Sequence, residues 1–169
     1  MDIVPDIGGY LGSLKERSCR LEEEKDAYSR MSLMDSLTGI PNRRALDMRL
    51  ADLAELRQTV SLIMLDVDLF KIYNDTLGHQ EGDACLHRVA QAMRDGLRGG
   101  DREIFRYGGE EFAVVLDGVP PEHALHVAER LRQAVEQLGI PHPGSPAGRV
   151  TISLGVAAVG ELTPEILPR

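Results

Sequence analysis

The chain has 169 residues, 43% of them hydrophobic and only 4% aromatic, without tryptophan. That content suits one globular domain with a mostly aliphatic core and an appended helix. The formal net charge of −8 argues against a nucleic-acid partner, because Lys and Arg dominate contacts with a long phosphate backbone. A small anionic nucleotide stays compatible if surplus carboxylates hold a metal beside it. Cys19 and Cys85 lack metal-site spacing, so a reduced, cytoplasmic chain is expected. No apolar run approaches the roughly 20 residues of a membrane span, and the first residues show no signal-peptide pattern. Direct membrane contact is therefore not expected.

Residues 1–34 read as a leader and linker helix. Pro5, Gly8 and Gly9 mark a loose start, after which Leu14, Leu21 and Tyr28 recur every seven residues. Arg17 and Glu24 occupy the intervening seam positions, so any coiled coil is weak. Gly39 and Pro41 break this helix, and Pro41 opens a second one reaching about Arg57. The apolar run 62–65 predicts a buried strand, followed by a polar turn region. A helix is expected over 83–98, ended by Gly99 and Gly100. Strands over 103–107 and 111–116 flank Gly108 and Gly109, which signal a hairpin. A helix over 121–138, a Pro/Gly-rich loop over 139–148 and a last strand over 150–159 complete the chain. The order β-α-β-β-α-β predicts an α/β (α+β) fold with a ferredoxin-like or palm core: a sheet flanked by helices, with the first and third strands antiparallel neighbours at its centre.

That topology brings separated acids together. Asp66 ends the first strand and Glu110-Glu111 open the third, so they meet at one end of the sheet. Clustered carboxylates repel unless a cation joins them. Mg²⁺ suits such a site because it is typically shared between one or two carboxylates and substrate phosphates. Two such ions can activate a hydroxyl and steady a leaving oxygen in nucleotidyl transfer. Asp68 by itself reads as a solvated turn residue. Lys71, just past the strand, can reach terminal phosphates. Asn74 and Asp83 together can read a guanine edge, although each alone is commonly a turn or cap residue. Gly108 and Gly109 serve a turn requiring positive φ, leave room for a nucleotide, or both. These residues point to nucleotide and metal without specifying the base.

Gly108-Gly109-Glu110-Glu111-Phe112, preceded by Arg106-Tyr107, resembles the GGEEF signature of GGDEF-domain diguanylate cyclases. The block from Asp66 through Phe70, Lys71, Asn74 and Asp75 to Gly78, His79, Gly82 and Asp83 resembles the D-x-D-x-F-K-x-x-N-D…G-H-x-x-G-D block of that family. Asp35 to Arg44 resembles its opening motif, and Val150 to Val156 its last core strand. Four ordered motifs over residues 31–159 make the resemblance specific. It implies condensation of two GTP into cyclic di-GMP and two pyrophosphates by a homodimer, with two Mg²⁺ per site and Mn²⁺ as a substitute. It assigns Asp66, Glu110 and the Val67 carbonyl to the metal, and Glu111 to the reacting hydroxyl. Phe70, Lys71, Asn74, Asp83, Gly108 and Gly109 become substrate contacts. Arg98 and Asp101 resemble an RxxD site for inhibitory product, although six residues instead of five separate Asp101 from Gly108. The leader resembles the linker to an upstream sensor. The domain at 35–169 stops at Arg169 without the family's usual C-terminal helix, which implies weakened GTP affinity and an exposed sheet face.

The other readings are a GTP- or cyclic di-GMP-binding module without turnover, a pure dimerisation domain, and a different palm-type cyclase or polymerase. His79 is expected to stabilise its turn, His123, His126 and His142 to lie on the surface, and Cys85 to be a small packed residue.

Overall fold

A computed structural model describes Lys15, Arg17 and residues 33–97 and 102–159. Most of the expected leader helix, Arg98, Asp101 and residues 160–169 lie outside the described residues. Among the described residues no helix is long and apolar enough to cross a membrane.

Four antiparallel strands form one sheet in the order β2-β3-β1-β4, with β1 Val60–Val67, β2 Arg102–Arg106, β3 Glu111–Asp117 and β4 Ile152–Val159. The central β1–β3 pair is as expected from the β-α-β-β-α-β order. Alternation divides the side chains between two cores. Ile63, Leu65 and Val67 of β1 and Phe112, Val114 and Leu116 of β3 pack toward the larger one. Val60, Ala113 and Val115 join the smaller one on the other face. β1 is longer than its apolar run because Ser61 is buried at no polar cost, its hydroxyl donating to the Val119 carbonyl at 2.7 Å.

α1 (Arg43–Glu55) covers the smaller core through Leu46, Leu53 and Ala54. It starts after Pro41 because Asn42 is the N-cap, accepting from the Ala45 amide. Pro41 instead accepts from the Arg106 amide at 2.8 Å, which fastens the opening motif to the end of edge strand β2. α3 (His79–Gly96) and α4 (Pro121–Gln137) cover the larger core.

The expected polar turn after β1 is instead a further helix, α2 (Phe70–Leu77), and α3 begins at His79, earlier than expected. Phe70 and Tyr73, one turn apart, bury themselves on α2 and hold it against the core. Leu69, just before it, adopts the left-handed conformation (φ 56°, ψ 29°), at a cost of roughly 1–2 kcal/mol for a side chain with a Cβ. This sharp turn lets the chain leave β1 and enter a helix at once. His142 is fully buried, a correction to its expected surface position.

Candidate active site

The end of β1 and the start of β3 carry the acids, and their register sets Asp66 directly opposite Glu111. The Val67 amide donates to the Glu110 carbonyl at 3.3 Å, so the three acidic positions share one sheet end. Like charges opposite each other in a ladder are destabilising. The Asp66 carboxyl accordingly lies above its ordinary pKa of 3.8, raised first by burial and then by repulsion from Glu110, Glu111 and Asp68. No three His, Cys, Asp or Glu side chains among the described residues converge closely enough to cage an ion by themselves. This donor set fits Mg²⁺, which draws its remaining ligands from water and substrate phosphate. Asp66, Glu110 and the Val67 carbonyl are the groups available to hold it.

Asp68 is occupied otherwise. Its carboxylate accepts from the Thr151 and Ser153 hydroxyls, both at 2.6 Å, and ties the end of β1 to β4.

Beside the acids lies an open cleft of about 460 Å³, lined by Phe70, Lys71, Asn74, His79, Asp83, Arg106, Gly109 and Glu110 among others. α2 and the first turns of α3 supply most of its wall. Lys71 is exposed and makes no ion pair among the described residues. Its charge is therefore available to an anion. Asn74 Oδ1 is buried without a hydrogen-bond partner among the described residues. Such an orphaned acceptor is costly, and a ligand N–H would relieve it.

Gly82 leaves room for that amide, since a Cβ at Gly82 would collide with Asn74 Oδ1 and approach Phe70 Cζ to 3.2 Å. Gly82→Ala should turn the Asn74 amide out of place and weaken nucleotide binding at least about tenfold, roughly the value of one lost hydrogen bond to a buried group. Calorimetric titration checks this, with unchanged affinity as the contrary result.

The sign of the Asp66 shift gives a second prediction. An acid whose folded pKa is raised stabilises the fold below its unfolded value, and that contribution is lost as pH rises through the folded value. At neutral pH the ionised carboxylate therefore strains the metal-free domain. Asp66→Asn should raise the Tm of the metal-free protein at pH 7 by about 1–2 °C, a small effect because the group is exposed to solvent. The gain should fade as pH approaches 3.8. Calorimetry with a chelator measures both, and a lower Tm for the variant would contradict the repulsion.

The hairpin glycines do not need positive φ. Gly108 and Gly109 both lie outside the left-handed region, which corrects that part of the sequence reading. A Cβ at Gly108 would meet Glu111 Oε2 at 2.6 Å, whereas one at Gly109 would meet nothing within 4 Å. The Glu111 carboxylate thus reaches over Gly108, and Gly109 lines the cleft beside Glu110.

Arg106 is the residue that sequence reasoning left without a role. Its guanidinium fills the hairpin, donating to the Gly109 carbonyl at 2.8 Å and the Gly108 carbonyl at 3.2 Å. It also grips both Asp35 oxygens, at 2.8 and 3.0 Å. Burial works against the ionised Asp35 carboxyl. Hydrogen bonds from the Thr38 hydroxyl and amide and from Arg106 outweigh it, so its pKa lies below 3.8. The opening motif thus braces the hairpin that carries Glu110 and Glu111. The available signal was the Arg directly before the Tyr-Gly-Gly run.

The family model described as "Diguanylate cyclase, GGDEF domain" matches residues 32–167. The chain is 39% identical over 139 residues to diguanylate cyclase VdcA of Vibrio cholerae, covering 81% of this chain and 41% of that one. It is 36% identical over 164 residues to diguanylate cyclase DgcP of Pseudomonas aeruginosa, covering 90% of this chain and 24% of that one. It therefore spans less than half the length of either relative. Among solved structures, the coiled coil and GGDEF domain of DgcB from Caulobacter crescentus, in complex with c-di-GMP, superposes with a TM-score of 0.76 at 28% identity, covering 92% of this chain and 84% of that one. Diguanylate cyclase SiaD of Pseudomonas aeruginosa, in complex with its activator SiaC, gives 0.67 at 36% identity, covering 90% and 64%. With the palm-like sheet, the acidic sheet end and the GGEEF hairpin in place, this chain belongs to the GGDEF domain family of diguanylate cyclases.

Proposed function

We propose that this domain is a diguanylate cyclase, condensing two GTP molecules into cyclic di-GMP and two pyrophosphates. The observation that carries the reading is the juxtaposition of Asp66, Glu110 and Glu111 with the cleft lined by Lys71, Asn74 and Asp83. The names of its relatives support the same activity.

Divalent metal, Mg²⁺ by this reading with Mn²⁺ as a substitute, supplies Lewis-acid activation of a hydroxyl and charge neutralisation at the leaving phosphate oxygens. Asp66, Glu110 and the Val67 carbonyl hold it. Lys71 neutralises the terminal phosphates. Asn74 Oδ1 and the Asp83 carboxylate accept from the guanine N–H groups, which adenine does not present on that edge. Glu111 stands beside the attacking 3′-hydroxyl and receives or orients its proton. Each domain binds one GTP, and each 3′-hydroxyl attacks the α-phosphate of the other GTP. Turnover thus needs two facing copies. In the whole protein an upstream sensor sets that pairing in the cytoplasm, and product bound by Arg98 and Asp101 opposes it.

The test is incubation with GTP and Mg²⁺ over a range of protein concentrations, with chromatography of the nucleotides. Cyclic di-GMP rising more steeply than linearly with protein is expected. GTP binding without product would replace the cyclase by a nucleotide-binding module.

A further inference from the structure

We propose that His142 is a positioning residue of the nucleotide site, holding the left-handed Leu69 turn that aims α2 into the cleft. The inference rests on the nucleotide reading of the cleft. His142 lies in the loop between α4 and β4, far in sequence from every residue assigned to substrate. Its side chain is fully buried.

Both ring nitrogens are committed. The Gly144 amide can only donate, and it meets Nδ1 at 3.2 Å. The Leu69 carbonyl can only accept, and it meets Nε2 at 3.2 Å. These two contacts select the neutral ring with its proton on Nε2. The same Leu69 carbonyl receives the Tyr73 amide at 3.1 Å, the first hydrogen bond of α2. His142 therefore acts on the residue where strand becomes helix, and that residue has φ 56°. A non-glycine side chain keeps this conformation only where its surroundings over-determine it.

The contact continues into the cleft. The His142 ring meets Tyr73 edge-on, with centroids 5.1 Å apart. Tyr73 lies parallel to Phe70 at 6.1 Å. Phe70, Lys71 and Asn74 line the cleft. The Gly144 site is equally tight, because a Cβ there would collide with Ile72 Cγ2 of α2. Removing the Nε2 donor frees the Leu69 turn and lets α2 rotate. Lys71 and Asn74 would then lose their common aim, while the sheet and its acids would stay in place.

The experiment uses 3′-deoxy-GTP with Mg²⁺ as the probe, since it lacks the attacking hydroxyl and cannot be consumed. Calorimetry compares the wild type with His142→Phe, which removes both hydrogen bonds, and His142→Gln, whose amide can still donate to Leu69. The expected result is a Kd raised at least tenfold in His142→Phe and restored to within about threefold of wild type in His142→Gln. A purely structural role would lower Tm in both variants and leave both affinities at the wild-type value, which would overturn the proposal. If His142→Phe does not fold, His142→Asn decides by the same threshold, because its shorter amide can meet Gly144 but not reach Leu69. Absence of binding by the wild type would overturn the nucleotide reading and this inference with it. Wild-type binding that no variant changes would overturn the inference alone.

Discussion

Glu110→Gln is expected to lower turnover by at least about 10³-fold while leaving the fold intact. The loss corresponds to several kcal/mol of charge stabilisation at the transferring phosphate, the scale on which a misplaced catalytic metal acts. A neutral amide is a poor ligand for a hard cation that prefers carboxylate and phosphate oxygens. The fold should survive because the contribution of Glu110 to the sheet is its backbone carbonyl, which accepts from the Val67 amide in either protein. Repulsion with Asp66 also falls, so the metal-free variant should melt no lower than wild type. The paired measurement is cyclic di-GMP formation and Tm. Turnover near the wild-type rate would remove Glu110 from the metal site. Lost turnover with a large drop in Tm would mean that the side chain is structural.

Arg106→Ala should cost both stability and activity. It deletes bidentate contact with Asp35 and the donors to two hairpin carbonyls. Both members of the ion pair are largely buried, with 16% and 20% of their side chains exposed. Removing one partner leaves the other charge uncompensated, and hydrogen bonds to charged groups are each worth about 1.5–3 kcal/mol. A net loss of about 2–3 kcal/mol and a fall in Tm of roughly 5–10 °C are expected. The freed hairpin should misplace Glu110 and Glu111 and lower turnover about 10²-fold, since misplacement of about 1 Å is worth that much.

Acid unfolding separates this mechanism from generic destabilisation. Asp35 has a depressed folded pKa, so its contribution is present above the unfolded value of 3.8 and is lost as pH falls through the folded value. Without Arg106 that contribution shrinks, and the stability difference between the proteins should narrow below pH 3.8. A difference independent of pH would show that the guanidinium acts through the hairpin carbonyls alone.

The sheet and the acidic cluster were legible because they follow from local signals combined with one topological rule. The apolar run 62–65, the Gly-Gly turn and the helical periodicities predict β-α-β-β-α-β, and right-handed crossovers then leave one antiparallel arrangement. The register of Asp66 against Glu111 follows within a residue. α2 was not legible as a helix. Eight residues carry only Phe70 and Tyr73 as buried anchors, and a segment that short has little intrinsic helicity without tertiary packing. Its start also needs a left-handed Leu69, a conformation no sequence rule assigns to leucine.

The sequence by itself determined the order of the strands and of the longer helices, the meeting of Asp66 with Glu110 and Glu111, and the motifs of the family. Each depends on neighbours along the chain or on a topology with one permitted hand. Only the tertiary structure decided what Arg106, Asp68, Gly82 and His142 do. Arg106 meets Asp35 from 71 positions away, Asp68 takes the hydroxyls of Thr151 and Ser153 from 83 and 85 positions away, and His142 reaches Leu69 across 73 positions. Gly82 matters because Asn74 occupies the space its side chain would need. A buried polar group must find its partner wherever packing brings one, and local pattern carries no record of that choice.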